Sequence, residues 1–87
     1  MNEIVLDCSG ITDARQLHEA LMTALELPEW YGHNLDALFD CLTELSEDTH
    51  LVLTNWDSDA DYRCGFESVF TDAMEENPVF RYTISVL

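Results

Sequence analysis

Asp36 and Asp40 stand one helical turn apart within Leu27 to Thr43, LPEWYGHNLDALFDCLT, and just upstream lie Trp30, Tyr31, Gly32 and His33. From Asn34 onward Leu35, Leu38, Leu42 and Leu45 recur at three- and four-residue steps, so a helix begun there buries one leucine stripe. That phase turns Asp36, Phe39, Asp40 and Thr43 toward water. A phenyl ring set between two carboxylates stabilises nothing by itself. Like charges at this spacing cost about 0.2–0.5 kcal/mol, and no Lys or Arg lies between Arg15 and Arg63 to relieve them. Paired carboxylates could serve acid–base catalysis, but that chemistry needs a cleft that excludes water and drives the two pKa values apart. An exposed helical face on a small domain supplies none, so an enzyme is not expected. A carboxylate can also mimic a phosphate oxygen pair and accept bidentate Arg bonds. Trp30 and Tyr31 match the residue types that anchor interfaces, although one of them equally suits a plug beneath the loop. The cluster reads as a surface shaped for a cationic cleft.

Other chemistry is thinly represented. Only Gly10, Gly32 and Gly65 are available, which leaves no phosphate loop, and neither CxxC nor HExxH occurs. Asp57-x-Asp59-x-Asp61 resembles the start of a calcium loop but has Tyr62 where Gly is needed and Ser68 where Glu is needed. A solvated acidic loop is the expectation there, with no metal and no cofactor. His18 reads as a helix-flank residue and His50 as a strand-edge residue, while His33 belongs to the aromatic connector.

The charge narrows the partners. Eighteen Asp and Glu face three Lys and Arg, a formal net charge of -15. Such a chain repels nucleic acid and anionic membranes and attracts basic proteins, and self-repulsion favours a monomer. Cys8, Cys41 and Cys64 are an odd number at irregular spacing. With no signal-peptide pattern and no membrane-length apolar run, a reducing cytoplasm is the expected compartment. All three cysteines read as structural.

The elements that must hold the cluster follow from periodicity. The 87 residues, 47% hydrophobic, make one domain over 1–87 with a single core. Ile4-Val5-Leu6 reads as a strand buried on both faces, and Gly10 ends it. Thr12 or Asp13 caps a first helix carrying Ala14, Leu17, Leu21, Ala24 and Leu25, which Pro28 closes. Gly32 can take positive φ, and Asn34 caps a second helix running to about Leu45. Leu51-Val52-Leu53 is a second buried strand, and Asp57 to Tyr62 is a loop or one helical turn. Phe66, Val69, Phe70, Ala73 and Met74 mark a third main helix stopped by Asn77-Pro78. Phe80, Tyr82, Ile84 and Val86 alternate as a half-exposed strand. The order β-α-α-β-(α)-α-β requires parallel strands, so the expected fold is α/β, a three-stranded parallel sheet with helices on one face.

LPEWYGHNLDALFDCLT resembles the LPxYYGxNLDALWDCLT-type motif of the barstar family, intracellular inhibitors of barnase-type ribonucleases. The likeness is weaker elsewhere but spans the chain. It implies the barstar-like two-layer fold and a 1:1 complex with a basic, extracellular-type ribonuclease, as in a toxin–immunity pair. It implies that the second helix and preceding connector block the active site. Asp40 falls where the family places the phosphate-mimicking carboxylate, and Asp36 on a second acidic contact. Trp30 and Tyr31 take the aromatic contacts, and Gly32 and Asn34 the close approach and helix start. Phe39 and Thr43 match further helix contacts, and Asp72 lies near an acidic contact on the last helix. Trp30 replaces a typical tyrosine, Phe39 a tryptophan, and Asp72 a glutamate. The alternative reading is a regulatory module of the same fold whose basic partner is not a ribonuclease.

Overall fold

A computed structural model describes residues 2–28, 31–32, 34–56 and 61–85. The apolar runs become strands β1 (Asn2–Asp7), β2 (Thr49–Thr54) and β3 (Phe80–Ser85), and the 3.6-period segments become helices α1 (Ala14–Ala24), α2 (Leu35–Thr43) and α3 (Asp61–Glu76). They follow one another as β1-α1-α2-β2-α3-β3 and form a parallel sheet in the order β1-β2-β3. Ile4, Leu51 and Tyr82 share one row of the ladder, and Leu6, Leu53 and Ile84 another. These rows face the helices, where Leu17, Leu21, Leu38, Leu42, Phe66 and Phe70 close a core from which Leu51, Leu53 and Phe80 are wholly excluded from solvent. This is the two-layer α/β arrangement expected from the element order.

Sheet coverage differs from the expectation. Ile4-Val5-Leu6 is not buried on both faces, because Val5 is 59% exposed on the side away from the helices. Val52 shares that side and is only half-buried. A parallel sheet is usually covered on both faces; here all helices pack on one, so period-two burial returns despite the continuous apolar runs. His50 accordingly lies in the central strand and not at an edge, on the open face, bonded to Thr83 Oγ1 at 2.7 Å with Glu3 at 3.8 Å.

α1 starts where Asp13, in extended conformation, accepts from Gln16 N. It stops before Pro28 can act: Glu26 adopts φ 54, Glu26 N donates to Thr23 O and Leu27 N donates to Met22 O at 3.0 Å. This paired-bond termination favours glycine at the left-handed position, and Glu26 tolerates it at a cost. Glu26→Gly should therefore raise stability by about 1 kcal/mol, read as a higher urea midpoint at unchanged slope. α2 ends at Thr43, with Glu44 as its cap, two residues short of Leu45. Residues 57–60 lie outside the described residues, and with them Asp57 and Asp59 of the calcium-like spacing; Asp61 and Tyr62 already belong to α3.

Cys8 and Cys41 are buried, but Cys64 is exposed on α3 and belongs to no core. Burial pushes the Cys8 thiol above its ordinary pKa, and the nearby Arg63 charge opposes this without reversing it. Arg63 itself is 2% exposed. Its Nε donates to Tyr62 OH at 2.9 Å and its Nη2 to Ile11 O at 3.1 Å, while Cζ lies 4.7 Å from the Trp56 ring centroid. Carbonyls and ring faces thus hold this cation where a carboxylate would be usual.

Candidate functional site

α2 owes its start to Asn34. Its backbone is extended, and its Oδ1 accepts from Ala37 N at 2.8 Å, satisfying a donor that the first turn leaves free. Asn34 Nδ2 donates to Gly32 O at 3.2 Å. Gly32 has no positive φ, contrary to the sequence reading. What requires glycine is crowding, since a Cβ there would stand 2.9 Å from Asn34 Nδ2. Leu38, Cys41 and Leu42 point into the core, which fixes the rotation of the helix. Asp36 and Asp40 are consequently exposed on the opposite face. Among the described residues neither forms an ion pair. Asp36 gains from the positive end of the helix dipole; Asp40, a turn later, does not.

Not every candidate stands fully in water. Phe39 is half-buried and packs against the core margin, because position 39 lies at the edge of the leucine stripe and not opposite it. Thr43 is also half-buried, its Oγ1 donating to Asp40 O at 3.1 Å. Asp72 is exposed on α3. Trp30 and His33 lie outside the described residues.

Tyr31 requires a correction. The residue is only 3% exposed, so in the free protein it is the plug beneath the connector. Its hydroxyl pairs with His18 Nδ1, and burial holds the phenol above its ordinary pKa. His18 is no helix-flank residue either: it is 5% exposed, with its ring centroid 4.7 Å from that of Phe66. The bond ties the connector to α1, and the His18 ring in turn packs on Phe66 of α3. Tyr31→Phe should lower stability by about 1–2 kcal/mol, because it strips a buried imidazole of a partner; a denaturation midpoint unchanged from wild type would contradict this.

One hollow lies against Ala14, Arg15, His18 and Glu19, another between Asn2, Glu26, Leu45 and Glu47, and neither includes Asp36 or Asp40. A family profile described as "Barstar (barnase inhibitor)" matches residues 1–85, nearly the whole chain. The chain belongs to the Barstar family. A protein of Bacillus subtilis (strain 168) named "Putative ribonuclease inhibitor YrdF" is 44% identical over 43 residues, 49% of this chain and 47% of that protein. The chain thus spans about half the length of the curated relative it matches.

Two residues of this Barstar-family chain that position α2 escaped the sequence reading. Asn77, taken only as a helix stop, is 8% exposed, and its Nδ2 donates to Leu42 O, Thr43 O and Leu45 O at 3.0–3.3 Å. It caps the carboxyl end of α2 from another element, a contact across 32 to 35 positions of sequence. Gly65 sits inside α3, where a Cβ would stand 2.8 Å from Leu35 Cδ1. A glycine within a strong helical pattern was the available signal; for Asn77 there was none.

Proposed function

We propose that this protein is a stoichiometric inhibitor of a basic, secreted-type ribonuclease, binding it 1:1 and blocking its active site with α2 and the connector before it. The observation that carries the reading is the exposed pair Asp36 and Asp40, without ion pairs among the described residues, on a helix whose other face is locked into the core. Such carboxylates need no rearrangement to enter a cleft built for phosphate, and they accept charge-assisted bonds from its Arg, Lys or His groups. Family membership and the inhibitor name of the Bacillus subtilis relative support this choice of partner. The net charge of -15 adds steering, with association rates up to about 10⁸–10⁹ M⁻¹s⁻¹ at low salt. In this reading the protein catalyses nothing, is monomeric when free, and acts in the cytoplasm as the immunity half of a toxin–immunity pair.

Barnase is the direct probe. Titrating the protein into barnase should abolish RNA cleavage at one equivalent, and sedimentation should show a 1:1 complex that weakens as salt rises. Undiminished cleavage at a large excess of inhibitor, by barnase and by any basic nuclease encoded beside this gene, would sink the reading.

A further inference from the structure

Gly65 is the fifth residue of α3, with helical residues on both sides. Its φ is not positive, so no backbone conformation demands glycine there. An alanine would serve the helix better, because glycine has more chain freedom to lose. What glycine provides is room. A Cβ at position 65 would stand 2.8 Å from Leu35 Cδ1, closer than real Cβ atoms come to a neighbour.

Leu35 is the first residue of α2, placed between the capping Asn34 and the exposed Asp36. Cδ1 is the far end of its side chain, so it can yield only by changing rotamer or by moving with the turn. Its side chain is half-buried against the core, where staggered rotamers leave few alternatives. Upstream, Gly32 is crowded against Asn34, and at the far end Asn77 grips the carbonyls of Leu42, Thr43 and Leu45. The first turn of α2 is therefore seated between the connector and α3 at two glycines. We propose that Gly65 is a positioning residue for the partner-binding surface: by letting α3 approach Leu35, it sets the height and tilt at which α2 presents Asp36 and Asp40. Bulk at 65 pushes Leu35 and the first turn outward, displacing Asp36 most. This deepens the inhibitor reading and rests on it, since the consequence is a change in inhibition.

The test compares Gly65→Ala, Leu35→Val, which removes the crowding Cδ1, and the double variant. Gly65→Ala should shift the amide resonances of Leu35, Asp36 and Ala37 and raise the inhibition constant for barnase about tenfold, equivalent to ~1.4 kcal/mol. Its unfolding midpoint should be no lower than that of wild type. The double variant should return resonances and inhibition to the level of Leu35→Val alone, a non-additivity that a general loss of stability would not produce. If Gly65→Ala fails to fold, a folded double variant that inhibits like Leu35→Val supports the assignment, and one that does not inhibit overturns it. Unmoved resonances with unchanged inhibition overturn it too, as does a loss that Leu35→Val fails to reverse. Wild-type protein that leaves barnase fully active counts against the inhibitor reading alone. The resonance shifts and their reversal still decide whether Gly65 positions α2.

Discussion

Asp40→Ala should weaken binding to the ribonuclease by about 3–5 kcal/mol while leaving the fold of the free protein within about 0.5 kcal/mol of wild type. The asymmetry follows from where the carboxylate stands. In the free protein Asp40 is exposed, with no ion pair among the described residues, so truncation removes no contact that the fold relies on. It even relieves repulsion with Asp36 and an unfavourable charge in the second half of α2. In the complex the same carboxylate fills a cationic pocket. Its loss leaves cations buried and unpaired, which costs more than the bond itself was worth. Most of the effect should appear in the dissociation rate, because one charge among many changes steering little. Asp40→Asn separates charge from shape: it should recover less than half of the lost affinity. Stopped-flow and competition binding with barnase supply both rates, and an Asp40→Ala protein within threefold of wild-type affinity would refute the phosphate-mimic role.

Asn77→Ala should cost about 2–4 kcal/mol of folding stability. Two N–H donors of one amide are shared among three carbonyls at the end of α2, and its Oδ1 accepts from Val79 N at 3.2 Å. Alanine leaves the carbonyls without that donor, the one at Leu42 in a buried place. Asn77→Asp should be worse at neutral pH, since it removes both donors and sets a negative charge against carbonyl oxygens. The urea midpoint should fall at unchanged slope, and protection of the Leu42 and Thr43 amides from hydrogen exchange should fall with it. A loss below about 1 kcal/mol would show that the α2 terminus relaxes to find other donors.

These expectations separate what was legible in the residues from what was not. The leucine spacing of α2 fixed its rotation, so the outward direction of Asp36 and Asp40 could be read directly. Asn34 as a cap needed only local chemistry, because its partner, Ala37 N, lies three residues on. Strand and helix order, and hence the parallel sheet, followed from apolar runs alternating with helical patterns. Phe39 and His18 were misplaced, and which of Trp30 and Tyr31 plugs the core stayed open, because burial at the edge of a stripe, or beneath a connector, depends on what packs against it. For His18 that neighbour is α3, forty-eight positions on at Phe66, and for Tyr31 it is His18. The burial of Val5 was misjudged for a similar reason: a continuous apolar run does not reveal whether a second helical layer covers the sheet.

By itself, then, the sequence determined the elements, their order, the acidic face of α2 and membership in a long-motif family, since all of these are written in short-range spacing. Only the tertiary structure decided which aromatic side chains are spent inside, that Asn77 closes α2 from across the fold, and that Gly65 leaves Leu35 its place. Those facts depend on contacts between residues far apart in the chain, whose geometry is set when the layers pack and is carried by no local pattern.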